Sequence, residues 1–567
     1  MDVSKSFKHV LLMELIVPTV LLVLGVYHGL LQTFYRAGII RDTSFLGIEY
    51  YQGLTLHGVV NAIVLTTFFA VAFGNAVVHF YLKRRLNDRV NWISCLMMLV
   101  GSVMAAAPIL SGDASVLFTF YPPLKAHPLF YIGATLLVIG SWLAFFNWIG
   151  PLRQWRKENP DAKTPMAVIG MFTTFIVWVI ATIPLAIEVV VFLIPWSLGW
   201  IETVNVSLMR TLFWFFGHPL VYFWLLPAYV MFYAFLPKLA GGKLYSDSAG
   251  RLVFMLFIIL SVPVGLHHQF AEPAIKQGWK LFHAVLTYGV AIPSLITAFT
   301  IAATLEHAGR SNGARGLFDW MGKLPWFDSK RYLFAYLLGG LIIFIFGGAT
   351  GIVNASYNLN MVIHNTGWLP GHFHLTVAGP VFLAILGGSI LMLSTITGKP
   401  VKFPKLSVWV PYLWLIGLFM FSSGLMIGGL DGEPRRTNMG LSYTNPNSPL
   451  YRPEWIATTA LTAIGGTVMF LACIFYFMVF FGTWFAKPKT SGALEFPVSE
   501  AYHDGPRVKW LDRLVPWTVI AVVIIAVAYY QPIKDSINFS GEGSPRYLPT
   551  SPAPVISKPP EETVMPE

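Results

Sequence analysis

The stretch GWLPGHFHLTVAG, residues 367–379, places two histidines, His372 and His374, two positions apart in a run built for lipid. Residues two apart on an α-helix differ by about 200° around its axis. The two imidazoles therefore point to nearly opposite sides and cannot easily bind one small ion. Each can instead serve a different planar cofactor, one on either side of the helix. Gly367 and Gly371 would leave room for a large ring to approach the backbone, and Pro370 suits a helix start.

The chain around this stretch has 567 residues, 55% of them hydrophobic and 11% charged, with a mean hydropathy of +0.63. That leaves too little polar surface for a water-soluble globular protein of this size. Runs such as LTLHGVVNAIVLTTFFAVAFGNAVVHFYL (54–82) contain no Asp, Glu, Lys or Arg. Such a run is long enough to cross a hydrocarbon core of roughly 30 Å at about 1.5 Å per residue. We expect an all-α membrane bundle of about thirteen spans. Their expected limits are 9–33, 53–81, 92–110, 127–149, 166–196, 211–237, 251–271, 279–305, 332–354, 369–396, 407–429, 456–485 and 512–531. The first span carries Glu14 and Pro18 and has no small-residue cleavage site, which makes it a retained anchor. Residues 1–535 form the expected membrane domain, and the Pro- and Ser-rich segment 536–567 reads as a disordered tail.

Alternate loops differ in basic residues. One set carries Lys83, Arg84, Arg85, Arg89, Arg153, Arg156, Lys157 and Lys163, and continues through Lys238, Arg310, Lys399 and Lys509. The other set is nearly bare apart from Arg435 and Arg436, which lie beside Asp431 and Glu433. Basic loops stay in the cytoplasm. The N-terminus is then cytoplasmic, the C-terminus lies outside, and the net charge of +11 reflects topology, not nucleic-acid binding. The only cysteines, Cys95 and Cys473, are far apart in apolar runs, so any soft copper or iron–sulfur centre must lie on another chain.

With that orientation, His57, His218, His267, His268, His372 and His374 fall on four spans within about 12 Å of the outer face. An ionisable group within a span costs a few kcal/mol unless it is paired or bound. One such histidine would ordinarily be a hydrogen-bonded core residue, but six at one depth point to metal. His57, in YYQGLTLHGVV (50–60), can supply a second axial ligand to one of two irons served by the 372/374 pair. An iron held by two imidazoles suits electron transfer, and an iron held by one keeps a site for a small molecule. Three imidazoles without a thiolate, His218, His267 and His268, suit copper or a non-haem metal; adjacent histidines can reach one ion where a helix is frayed or bent.

LTLHGVVNA (54–62), GHPLVYFWLLPAY (217–229), PVGLHHQFAEP (263–273) and IHNTGWLPGHFHL (363–375) together resemble subunit I of the heme–copper oxidases, over residues 10 to 530. The resemblance implies that His57 and His374 ligate a low-spin heme of b type. It implies that His372 ligates a high-spin heme, A-type or a derivative, and that His218, His267 and His268 hold copper B. In this family the tyrosine matching Tyr222 is joined to the histidine four residues before it and supplies a proton and an electron to O₂ reduction. Leu220 stands where mitochondrial-type members carry a glutamate, and HHQF replaces their HHMF. YYQGLTLHG and GHPLVYFWLLPAY are similar to the B-type, or ba-type, cytochrome c oxidases, which use one proton route. Its matching residues here are Tyr229, Tyr233, Thr287, Ser294 and Thr297.

Arg435 and Arg436 resemble the pair that holds heme propionates, for which two guanidiniums are apt. Asn360 stands where ba-type relatives can carry an acid, whereas Asn354 and His364 match that region. Glu14 and Glu188 are buried acids to which no role is assigned, and His28, His79 and His283 read as structural.

The implied activity is reduction of O₂ to water with proton uptake and pumping. Electrons would come from cytochrome c through a subunit II carrying the entry copper. The implied location is a prokaryotic inner membrane, with lipid and no nucleic acid as further surroundings. A quinol oxidase would share this core with a different donor. GHPLVY argues against a nitric oxide reductase, which lacks the tyrosine equivalent to Tyr222. A transporter with a histidine-lined path would show no heme spectrum.

Overall fold

Thirteen helices long and apolar enough to cross a membrane run through the described residues, as the hydropathy pattern anticipates. The structure is a computed structural model and describes residues 3–43, 48–488 and 495–539. The spans are α1 Lys5–Arg36, α2 Tyr50–Leu82, α3 Asp88–Leu110, α4 Pro128–Glu158, α5 Met166–Ser197, α6 Val206–Ala234 and α7 Asp247–Gln269. They continue as α8 Gln277–Ser311, α9 Leu333–Ala355, α10 Trp368–Thr397, α11 Pro404–Leu430, α12 Pro453–Trp484 and α13 Leu514–Asn538. Most run a few residues beyond the apolar stretch, because a helix continues to satisfy its backbone after the side chains turn polar. Caps set several starts: the Ser4 hydroxyl accepts from the Phe7 amide at 3.1 Å, and the Asn205 side chain accepts from Leu208 at 2.9 Å. The tail expected over 536–567 begins inside α13, and its part from residue 540 lies outside the described residues.

The four spans that carry the six candidate ligand histidines form the centre. In their apolar windows α2, α6, α7 and α10 are 72 to 94% buried, against 28 to 61% for the other nine. Three spans widen into π turns, over Val59–Val64 in α2, Ile187–Leu193 in α5 and His374–Val381 in α10. In α10 Pro380 lies inside the π turn and has no amide to donate. The Phe382 amide there bonds the Val377 and Gly379 carbonyls, and the Ala378 carbonyl between them accepts from the Trp414 indole at 2.6 Å. The other unwinding is in α7, which stops as an α-helix at Ser261 and resumes as a 3₁₀ turn over Leu266–Gln269.

The end of the bundle that carries the basic loops is tied by ions. Arg251 meets Asp247 at 2.7 Å and Asp512 at 3.2 Å, and Arg507 meets Asp512 at 2.7 Å. Next to this network β1 (Leu244–Ser246) pairs in parallel with β2 (Ala501–His503), Leu244 opposite Ala501.

Small residues allow the closest helix approaches. A Cβ on Gly465 of α12 would stand 2.3 Å from the Phe421 amide nitrogen and 2.6 Å from the Gly417 carbonyl of α11. The obstruction is backbone and cannot rotate away. Gly465→Val is expected to destabilise the α11–α12 pair by about 1–3 kcal/mol. A lowered melting temperature of the detergent-solubilised protein, monitored by circular dichroism, checks it; an unchanged one would show that the helices part freely.

Candidate metal centre

The unwound end of α7 places His267 and His268 on consecutive positions of a 3₁₀ turn, where both can face the same point. His218, from α6, completes the group: one nitrogen from each of the three imidazoles lies within 4.8 Å of the others. His218 Nδ1 and His268 Nε2 are 3.3 Å apart. That is the spacing of two ligands at about 2 Å from one ion at tetrahedral to trigonal angles. The His268 ring stacks on Trp214 at 4.0 Å and 12°. The Thr287 hydroxyl donates to the His283 carbonyl at 2.6 Å, so at 3.0 Å from His267 Nδ1 it is left to accept the imidazole N–H. This fixes the tautomer of His267 and leaves Nε2 with the free lone pair.

The same device recurs at the other sites. His57 Nδ1 donates to the Gly25 carbonyl of α1 at 2.8 Å, and His374 Nδ1 donates to the Pro370 carbonyl at 2.7 Å. A carbonyl only accepts, so in both imidazoles Nε2 carries the free lone pair. Their ring centroids lie 6.2 Å apart with planes 18° from parallel. Two metal–nitrogen bonds of about 2 Å, plus the distance from each ring nitrogen to its centroid, account for that separation. His372 Nδ1 meets the Thr350 hydroxyl of α9 at 2.8 Å, and that hydroxyl donates onward to the Gly347 carbonyl at 2.8 Å. The chemistry of the donor set thus fits two heme irons and a copper ion.

All six imidazoles, with Tyr222, Arg435 and Arg436, line one continuous cavity of about 780 Å³. Tyr222 lies one turn from His218, their rings 4.9 Å apart at 65°, and His218 Nε2 has no hydrogen-bond partner among the described residues.

Arg435 and Arg436 lie in the loop after α11 and are held by neutral groups. Arg435 donates to Asn365 Oδ1 at 3.0 Å, its buried Nε has no partner among the described residues, and Arg436 reaches the Thr119 hydroxyl at 3.5 Å. Burial, with Arg436 beside it, pulls the Arg435 guanidinium down to about 9. A pair of half-buried cations lining a cavity suits carboxylates. Next to them the His364 imidazole is brought down to about 4, first by burial and then by Arg435. Its Nδ1 donates to Asn360 Oδ1, 3.1 Å away, and Asn360 in turn donates to the Asn354 carbonyl at 2.8 Å.

The expected proton-route residues form pairs across α6 and α8. Tyr233 and Thr297 hydroxyls are 2.8 Å apart, and Tyr229 donates to Ser294 at 2.9 Å. Thr287 closes the series at His267. Thr297 also donates to the Pro293 carbonyl at 2.8 Å, which leaves it to accept from Tyr233.

One expectation is overturned. Gly367 and Gly371 give no room to a cofactor. A Cβ on Gly371 would meet Met426 Cγ at 2.5 Å, and one on Gly367 would meet the Leu425 carbonyl at 2.6 Å. These glycines seat α10 on α11. The glycine that makes room at the site is Gly29, whose Cβ would lie 2.7 Å from the His57 ring. Gly25, Thr350 and the Pro370 carbonyl also went unread, since backbone acceptors and a lone threonine leave no motif. Glu14 accepts from Asn75 at 3.2 Å, and Asn75 accepts from Trp148 at 2.8 Å. Glu188, in the π turn of α5, is fully buried with neither oxygen partnered among the described residues. Neither acid, nor His28, His79 or His283, lines the cavity.

Comparison with known proteins gives a consistent result. Residues 9–468 match the family described as cytochrome c and quinol oxidase polypeptide I. The chain is 43% identical over 492 residues to cytochrome c oxidase subunit 1 of Thermus thermophilus, covering 85% of each chain. It is 24% identical to a probable quinol oxidase subunit 1 of Staphylococcus haemolyticus, covering 83% of this chain and 69% of the relative. Among solved structures, it is similar to a chain of a heme–copper terminal oxidase dimer determined by cryo-electron microscopy. That likeness has a TM-score of 0.94 and 50% identity, over 97% of this chain and 96% of that one.

Gly29→Leu is expected to push the His57 ring off the Gly25 carbonyl, because the added carbons would occupy the ring's own space. The measurable outcome is loss of the low-spin bis-imidazole spectrum while copper content stays at the parental level. A parental low-spin spectrum would show that α1 yields and that the glycine is not required.

Proposed function

The chain belongs to the cytochrome c and quinol oxidase polypeptide I family, and from that premise we propose a role for each residue of the site. It is the catalytic subunit of a heme–copper terminal oxidase of the ba-type branch, an integral membrane oxidoreductase. The family implies hemes and copper, O₂, and partner subunits such as subunit II.

In our reading His57 and His374 hold a low-spin heme b, His372 holds a high-spin heme of A type or a derivative, and His218, His267 and His268 hold copper B. The observation that carries this reading is the set of Nδ1 contacts at 2.7 to 3.0 Å, which present Nε2 of four imidazoles to one cavity. When bound, these groups supply electron transfer and the binding and reduction of O₂. The chain's own residues orient them and manage protons. His57 and His374 would together hold one iron, which would supply electron transfer, whereas His372 would hold the other alone, in the cavity it shares with the copper ligands, where that iron would supply O₂ binding. Arg435 and Arg436 neutralise propionates, and Tyr222 holds a proton one turn from His218. Asn360 cannot take up a proton as an acid would, so no proton-loading role is assigned to residue 360.

Protons enter from the cytoplasm past Tyr233 and Thr297, then Tyr229 and Ser294, towards Thr287, and some are pumped. The loop charges support a cytoplasmic N-terminus and an external C-terminus in a prokaryotic inner membrane. The membrane domain spans residues 1–535, followed by the tail. Electrons come from cytochrome c through the copper centre of subunit II. The higher identity to a cytochrome c oxidase than to a quinol oxidase, 43% against 24%, favours that donor.

Tyr222→Phe is expected to keep both hemes and copper and to lower O₂ uptake by about 10²-fold or more, the scale of a lost proton donor. Thr297→Val should slow steady-state turnover while reduction of the low-spin heme stays fast, because a methyl cannot pass a proton. Near-parental turnover in Tyr222→Phe would remove the catalytic role. Unchanged turnover in Thr297→Val would remove only the route.

A further inference from the structure

The loop that carries the copper ligands is an interrupted helix. After Ser261 the chain leaves the α-helix, and it starts a new turn at Leu266. A new turn opens with amide groups that have no carbonyl behind them, and here it does so inside the protein, with Leu266 and His267 buried. The Leu266 amide donates to His283 Nδ1 at 3.4 Å. Because that nitrogen accepts, the ring proton is on Nε2, which donates to the Ala528 carbonyl of α13 at 3.0 Å. His283 is fully buried and its ring packs against Tyr529 at 5.0 Å and 78°. One imidazole on α8 thereby ties the unwound part of α7 to α13.

The residue before Leu266 is also fixed. A Cβ on Gly265 would come within 2.4 Å of both the Trp214 carbonyl and the Tyr529 hydroxyl, and the Trp214 ring stacks on His268. The backbone just before His267 is therefore clamped between α6 on one side and His283 with α13 on the other. His283 does not line the cavity and is no ligand. Its Nδ1, however, takes up the amide next in sequence to a ligand, so a change there is transmitted through one residue.

We propose that His283 is a positioning residue for the metal site: through the Leu266 amide it fixes the backbone from which His267 and His268 reach copper. This rests on the reading of His218, His267 and His268 as copper ligands. The conservative variants discriminate between positioning and simple core packing. Asparagine places an acceptor near the position of Nδ1 and can restore the bond to Leu266. Glutamine places a donor near Nε2 and can restore only the bond to Ala528.

The experiment compares His283→Leu, His283→Asn and His283→Gln in the purified complex, with two readouts. One is copper retention under chelator titration. The other is the infrared band of carbon monoxide bound to the copper. The low-spin heme spectrum verifies assembly. His283→Leu and His283→Gln should retain copper about tenfold less well, the scale seen when an outer partner of a metal ligand is lost, and should broaden or shift the carbon monoxide band. His283→Asn should stay close to the parent in both. If the leucine variant does not assemble, the asparagine–glutamine pair carries the comparison alone. Parental retention and band in His283→Gln, or equal loss in His283→Asn and His283→Gln, would overturn the proposal. Full copper in His267→Ala and His268→Ala would instead overturn the ligand assignment on which it rests.

Discussion

Everything at this centre depends on where the second nitrogen of each imidazole goes. A histidine inside a membrane has two ring nitrogens, and in a low-dielectric interior neither is left bare cheaply. Gly25, Pro370, Thr350 and Thr287 each take an Nδ1–H. Those four contacts convert a flexible side chain with two tautomers into an aimed donor with one, which is what the proposed ligand roles require. They come from α1, α8, α9 and α10 itself, so the aim of the rings reports on how the bundle is packed. A shift in any of these spans moves an acceptor on which the aim of an imidazole depends.

That requirement explains the local irregularities of an otherwise regular bundle. A straight α-helix cannot turn two adjacent histidines to one point, and α7 accordingly unwinds before His267. A helix in lipid satisfies its own backbone, so each departure needs a substitute partner within the protein. The Trp414 indole takes the Ala378 carbonyl in α10, and His283 takes the Leu266 amide in α7. The π turns in α2 and α10 begin two residues after His57 and at His374 respectively. Such bulges are frequent at functional sites. Here they follow the two histidines whose rings stand 6.2 Å apart.

The thirteen spans were legible because an uncharged run of 20 or more residues has few other uses. The six histidines were legible as a group because the loop charges gave each span a direction, and directions turned sequence positions into depths. Their partners were not legible. A backbone carbonyl such as that of Gly25 has no side chain to read, and Thr350 is one of many threonines in apolar helices. Gly367 and Gly371 show the converse failure: their closeness to His372 suggested room for a ring, but a glycine serves whichever neighbour is nearest, and that neighbour is α11. The hydroxyl pairs of α6 and α8 lay between these extremes, since the resemblance to the B-type oxidases named the residues while the partner distances of 2.8 and 2.9 Å came only with the packing.

The spacing of His372 and His374 has a final consequence for electron transfer in the proposed reading. The two ligands belong to one helix and are separated only by Phe373, whose ring lies against Phe118 at 6.0 Å and Trp224 at 5.6 Å. If α10 shifts as a body, both ligands shift together, and the separation of the groups they hold is unchanged. Ligands on two helices would let every thermal displacement between those helices enter that separation. His57, by contrast, lies on α2 and is braced from α1, where Gly29 lets the ring sit against the helix. Motion of α2 against α10 therefore acts on how the low-spin site is ligated, not on its distance from the high-spin site. Burial of 94% of the apolar window of α10 restrains even the rigid-body motion, so the geometry between the two sites rests on covalent spacing first and packing second.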